Sequence, residues 1–286
     1  MSRTVINYKA IIRILGVIIL IIGISMVIPW VYAEVSGDHD SAQAFRKCAP
    51  VIILAGAFLS ATLSSKYARF RPREGYIIVT CCWVLSSFLG AFPYYFSGFT
   101  DSFTTAFFES TSGFTTTGCT ASHAALSNAL ILWKAISHWL GGMGILVFVI
   151  SILPALGING QFIARAETPG PVLEKMTVRI SDSAKILYIT YFAFTLIEFF
   201  MLLSGKMPAF DALITTMGSI STGGLMVHPE GIAYYNSIYV EVVICVFCIL
   251  ASVNFVLYHY LATGKISYII KDIELRAYLI MIGASV

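Results

Sequence analysis

Charge is what this sequence has least of. Asp, Glu, Lys and Arg make up 12% of its 286 residues, against 58% hydrophobic and 14% aromatic residues. Soluble domains carry about twice that charge, roughly 25%. A globular surface of this size could not be solvated, which excludes a soluble enzyme and a disordered scaffold. A mean hydropathy of +0.83 instead places the chain in a bilayer as helices. The net charge of +3 is too small to indicate a nucleic-acid partner. Also missing are a phosphate loop, a zinc-protease motif, a nucleophile elbow and a dinucleotide fingerprint, so no organic cofactor is expected. Most of the six cysteines lie in apolar runs, where a thiol behaves as a small hydrophobe. Cys245 and Cys248 have redox-motif spacing, but inside a membrane span. Arg3, Lys9 and Arg13 precede an apolar run that is long and has no small-residue cleavage site after it. That run is read as a membrane helix that stays.

Six apolar runs are long enough, or nearly so, to cross about 30 Å of hydrocarbon. They are Ile11 to Val31, Cys48 to Leu63 (extending to Tyr67), Tyr76 to Phe96, Ala129 to Leu156, Ile186 to Leu203 and Ile238 to Leu261. The connecting segments alternate in charge. Fourteen of the eighteen basic residues, among them Arg69, Arg71, Arg73, Arg165, Lys175, Arg179 and Lys271, fall on one side. The positive-inside rule places that side, and the N-terminus, in the cytoplasm. The other side carries Glu34, Asp38, Asp40, Asp101, Asp211 and Glu230. An acidic mouth concentrates cations, while acidic loops are equally ordinary solvated loops.

Two outer segments, Phe99 to His123 and Met207 to Gly231, break the pattern. Each opens with about ten apolar residues, which as helix reach about 15 Å and can enter a bilayer but not cross it. Asp101 can cap the first short helix, and Pro208 suits the first turn of the second. Each segment then turns to Ser, Thr and Gly. Ser110 to Gly118 aligns with Thr215 to Gly223 at an offset of 105 residues. A repeated unit follows: span, half-span helix, Gly/Thr loop, span. Irregular backbone at membrane depth leaves carbonyl oxygens without helical partners, at several kcal/mol each in hydrocarbon. Dehydrated monovalent cations can satisfy them, and the negative C-terminal end of a short helix favours the same ions. A single such string would read as a plain outer loop; two at matching positions point to cation passage.

These motifs resemble the TrkH/TrkG/KtrB potassium transporter superfamily. The loops Gly113 to Gly118 and Ser219 to Gly224 look like its first two filters. His138-Trp139-Leu140-Gly141-Gly142-Met143-Gly144 and Asp272 to Leu279 resemble TrkH-type sequence. The resemblance implies an all-α integral membrane fold of two N-terminal helices plus two helix–pore-loop–helix repeats, half of a four-repeat K⁺-channel-like fold. The boundaries would be 1–70 for the N-terminal helices and 71–157 for the first repeat. A cytoplasmic linker would follow at 158–183, the second repeat at 184–263, and the start of a truncated third at 264–286. It further implies K⁺ uptake or symport in the cytoplasmic membrane. Carbonyls of Thr116, Thr117, Gly118 and Cys119, and of Ser221, Thr222, Gly223 and Gly224, would coordinate K⁺. Gly118 and Gly223 would be the filter glycines, with Glu109, Gly113 and Gly218 as filter support. A homodimer in membrane lipid and a nucleotide-binding regulatory subunit of TrkA/KtrA type are the implied partners.

The sequence stops at Val286, short of two of the four family repeats, so a fragment or a dimer-completed, otherwise non-transporting membrane protein is the alternative. A membrane-embedded enzyme using Glu198, His138 or Asp211 ranks behind both, because the topology sets His138 and Asp211 outward and Glu198 near the middle. Glu109 is expected to brace the filter or to face outward. Glu198 could be protonated, paired or part of a coupling path, a structural pair being favoured, and Asn254 is expected at the pore or between helices. Glu241 and His259 are expected in solvent. Gly141, Gly142 and Gly144 would permit close helix packing, and His138 has no partner at metal-ligand spacing.

Overall fold

The computed structural model describes residues 8–62, 72–121, 125–144 and 180–285. All the regular elements among them are helices. Two, α1 (Tyr8–Ser25) and α2 (Val27–Ser36), meet at Met26 and together form one apolar stretch. Helix α3 (His39–Thr62) returns antiparallel to α1. The two approach closely because glycine faces backbone: a side chain at Gly16 would meet Leu59 and Ser60, and one at Gly56 would meet the backbone of Leu20.

The first repeat is α4 (Pro72–Phe96), the short α5 (Phe103–Phe114) and α6 (Asn128–Gly142). The second is α7 (Ile180–Ser204), the short α8 (Ala209–Ile220) and α9 (Ile238–Ala251). Helices α10 (Phe255–Ala262), α11 (Ile266–Ile270) and α12 (Ile273–Ser285) follow. Among the described residues four helices are long and apolar enough to cross a membrane, and α9 with α10 forms a fifth, bent pair.

Trp133, fully buried on α6, is the pivot of the first core. It packs edge-on against Phe45 of α3 and Phe114 of α5, and its Nε1 donates to the Gly90 carbonyl of α4 at 3.0 Å. A second core gathers Tyr191, Leu202, Val243 and Phe247 around α7 and α9. Tyr32 of α2 stacks on Phe210 of α8 at 5.1 Å, tying the N-terminal pair to the second repeat.

Several expectations need correction. The run Ile238 to Leu261 is not one straight span, because it bends by 93° between α9 and α10. Asn254 sits at that bend as the N-cap of α10, its Oδ1 accepting from Val256 N–H at 3.1 Å, so its role is to end one helix and start another. Ser102, not Asp101, caps α5, because its hydroxyl reaches the Thr105 N–H at 3.5 Å. Pro208 stands at the N-cap of α8, one residue before the first turn. The second span begins at His39 rather than Cys48, its polar first two turns lying in the same helix. Part of the run to Leu156, the start of the N-terminal segment and most of the expected linker 158–183 lie outside the described residues.

Candidate ion-coordinating loops

Each short helix ends on a loop of the same shape. Both α5 and α8 have twelve residues and end at Phe114 and Ile220. After them, Thr116 and Gly118 take left-handed backbone angles (φ 53° and 73°), and so do Thr222 and Gly224 (φ 55° and 69°). The N–H of Thr116 bonds to Gly113 O as that of Thr222 does to Ser219 O; the N–H of Thr117 bonds to Ser112 O as that of Gly223 does to Gly218 O. Helix ends, dihedrals and hydrogen bonds all give an offset of 106, one more than the alignment by residue identity. Thr115 to Gly118 therefore corresponds to Ser221 to Gly224, and the partner of Gly118 is Gly224 rather than Gly223. The 105 alignment matched Thr-x-Gly spelling; backbone geometry is what the two loops share.

A threonine at positive φ is strained by about 1–3 kcal/mol, so Thr116 and Thr222 hold conformations that their surroundings impose. What the imposed shape leaves is open carbonyl oxygen. Among the described residues no hydrogen bond reaches the carbonyl oxygens of Thr115 to Gly118 or of Ser221 to Gly224. Cys119 differs. Its carbonyl already accepts the Ser112 hydroxyl at 2.6 Å and the Lys134 ammonium at 3.2 Å, one donor for each lone pair. Cys119 is thus tethered through its carbonyl, whereas the Thr115 carbonyl has no donor among the described residues.

The tether behind the first loop is a buried ion pair. Glu109, with no exposed surface, takes the Lys134 ammonium on Oε2 at 2.8 Å. Its Oε1 accepts the Thr120 hydroxyl at 2.6 Å and the Ala121 N–H at 2.7 Å. Lys134 is one of the four basic residues outside the fourteen on the cytoplasmic side, and the sequence gives no sign that it turns inward. In the second repeat the positions of Glu109 and Thr120 are Thr215 and Met226, which touch at 3.9 Å. There the carboxyl group comes from another helix: Glu198 of α7, fully buried, has Oε1 2.5 Å from the Ser219 hydroxyl oxygen. No cation pairs with it among the described residues, so the expected structural ion pair is replaced by a single hydroxyl contact.

The segment from Ser137 to Gly142 on α6 packs against both loops. Ser137 Oγ fills the space beside Gly113, the His138 ring lies on Gly223, and a side chain at Gly141 would strike the Phe114 carbonyl. A side chain at Gly142 would meet Ser221, while Gly218 lies against the Leu225 backbone. His138 Nδ1 lies 2.8 Å from Lys134 O, an acceptor, so that nitrogen carries the hydrogen. The loops also touch each other, since a side chain on Gly118 would run into the Gly223 carbonyl. On the outer side, Asp211 Oδ2 accepts from Tyr235 at 2.9 Å and lies 3.1 Å from His228 Nε2, and His228 stacks on Tyr234 at 3.6 Å. Burial, and the hydrogen bond to Asp211, push the Tyr235 hydroxyl above the ordinary tyrosine range. Among the described residues no cluster of His, Cys, Asp or Glu has metal-site geometry.

Two copies of long helix, twelve-residue helix, strained loop and helix, among four helices apolar and long enough to span, define an all-helical integral membrane protein. The chain belongs to the TrkH family of cation transport proteins, whose model matches residues 41–286. It is 33% identical over 278 residues to the Trk system potassium uptake protein TrkH of Escherichia coli K12, covering 96% of this chain and 57% of that protein. Against the Trk system potassium uptake protein TrkG of the same organism it is 35% identical over 218 residues, covering 74% of this chain and 45% of the relative. The crystal structure of the potassium transporter TrkH from Vibrio parahaemolyticus superposes with a TM-score of 0.78 at 29% identity, covering 96% of this chain and 57% of that one. The chain thus spans a little over half the length of these TrkH proteins. The family is one of transporters, not enzymes, and the three groups considered for catalysis engage separate partners: Glu198 with Ser219, His138 with Lys134 and Gly223, Asp211 with His228 and Tyr235.

Proposed function

We propose that this chain takes part in K⁺ uptake across the cytoplasmic membrane, and that the carbonyl oxygens of Thr115 to Gly118 and of Ser221 to Gly224 are two walls of the ion path. The observation that carries this is the pair of strained loops whose carbonyl oxygens have no hydrogen-bond donor among the described residues. Bare peptide oxygens at membrane depth are tolerable where a cation takes the place of the donor. The naming of relatives as potassium uptake proteins supports K⁺ as the ion. The distribution of Lys and Arg supports an N-terminus in the cytoplasm. Further loops to complete the ring, homodimeric assembly and a nucleotide-binding regulatory subunit belong to the same reading and rest on the family resemblance.

The test is selectivity. Gly118→Ser and Gly224→Ser place a side chain on left-handed backbone, and the first also collides with the neighbouring loop. Both should lower K⁺ over Na⁺ discrimination when the full chain is assayed in cells that lack K⁺ uptake. Unchanged discrimination in both variants would remove these loops from the ion path.

A further inference from the structure

Glu198 does something in the second repeat that has no counterpart in the first. The spans α4 and α7 end at Phe96 and Ser204, and six residues before those ends lie Gly90 and Glu198. At Gly90 a side chain would strike Ser110 and Phe114. At Glu198 the space holds a carboxyl group, fully enclosed, reaching Ser219 in the last turn of α8. Ser219 is the residue whose carbonyl receives the Thr222 N–H at 2.9 Å, the bond that sets the left-handed turn of the second loop.

Counting protons at Ser219 bears on the state of the carboxyl. Its Oγ has two partners, Glu198 Oε1 at 2.5 Å and the Thr216 carbonyl at 3.2 Å. A carbonyl only accepts, so both contacts are hydrogen bonds at once only when the hydroxyl hydrogen goes to Thr216 and Glu198 supplies the other. The acid form satisfies both contacts at once. The ionised form would draw the Ser219 hydrogen away from Thr216 and leave Oε2, which has no partner among the described residues, as a bare buried charge. Few charged groups surround it. Cys248 of α9 faces the site, its thiol donating to the Ser219 carbonyl at 3.8 Å. From α10, Tyr258 lies against Phe194 one turn away, its hydroxyl committed to Leu250 O at 2.6 Å. Asp211, at the far end of α8, is held by His228 and Tyr235.

The geometry points to Glu198 as a proton-binding site: a neutral carboxylic acid whose proton, passed on through Ser219, holds the base of the second loop in its ion-coordinating shape. The ligand is H⁺. When it leaves to water, the carboxylate takes the Ser219 hydrogen, the Thr216 contact opens and the loop loses its anchor. This deepens the proposed function, since it assigns to that same loop a dependence on pH.

The experiment compares wild type, Glu198→Gln and Glu198→Asp in the full chain, measuring K⁺ over Na⁺ discrimination from mildly acidic to alkaline pH. The wild type should lose discrimination as pH rises. Glu198→Gln, whose amide donates to Ser219 at every pH, should lose that dependence and keep the acid-side value. Glu198→Asp, still titratable but too short to reach Ser219 in the same way, should shift the profile. A wild-type profile that is flat, or a Glu198→Gln profile that falls with pH like the wild type, overturns the assignment. Infrared spectroscopy of purified protein gives a readout that does not depend on transport. The protonated carboxyl C=O stretch should be present at neutral pH and missing in Glu198→Gln, and its absence from the wild type would overturn the assignment as well. Gly118→Ser and Gly224→Ser act on the loop reading at all pH values, so a failure of that reading is separable from a failure of this one.

Discussion

Single side chains carry most of the specificity of the two loops. Lys134 is 2% exposed, and its carboxylate partner among the described residues is Glu109. Replacing one member of a buried pair leaves the other charge uncompensated, typically at about 3–5 kcal/mol. Lys134→Met should therefore lower thermal stability in detergent sharply, and Glu109→Gln combined with Lys134→Met should be milder than Lys134→Met alone; an additive double variant would show that the two do not act as a pair. Little of this was legible beforehand. Glu109 could be singled out because a carboxylate shortly before a glycine-rich loop is unusual. Lys134, in the second turn of α6, could not, because only folding brings it against Glu109 and the Cys119 carbonyl. Cys119 was expected in the ion path from its position in the motif; the two donors on its carbonyl become visible only in the fold.

At the scale of helices and loops, hydropathy located the four long apolar helices among the described residues but not the break between α9 and α10. The turn at Asn254 follows from a side-chain cap, which competes with helix continuation only when the flanking backbone is free to bend. The repeat was legible in residue spelling, yet its register was off by one, because threonine and glycine recur often enough to align in two ways and only dihedral angles choose between them. The same elements yield two predictions. Gly141→Ala places a methyl group on the Phe114 carbonyl, where backbone rather than a movable side chain must yield; folded protein should drop markedly, as read by monodisperse yield in detergent. Tyr235, in the short 3₁₀ turn Gly231–Tyr235 outside the spans, keeps its proton above the ordinary value of 10.0 through burial and its bond to Asp211. The folded pKa is raised, so the associated stability is complete below about pH 10 and declines as pH climbs further. Asp211→Asn should move the tyrosinate absorbance step of Tyr235 downward, and an unmoved step would mean that Asp211 does not hold the phenol.

For the molecule as a whole, the fold is a pair of cores joined where the two loops and the Ser137 to Gly142 stretch come together. Composition made the membrane setting plain, and the repeat gave the internal symmetry; what composition could not give was which residues face the junction, since apolar side chains look alike whether they meet lipid or protein. The exposed thiol of Cys119, just after the first loop, offers a check on the proposed orientation. In a variant keeping Cys119 as its sole cysteine, a membrane-impermeant maleimide added to intact cells should label it, and K⁺ should slow the labelling; reaction only after cell rupture would invert the topology. Because Gly118 abuts the Gly223 carbonyl with no room between them, neither loop can be altered in isolation. An injury to one is inherited by its neighbour, so a map of substitutions around the junction should show phenotypes that cluster by adjacency across the two repeats rather than by distance along the chain.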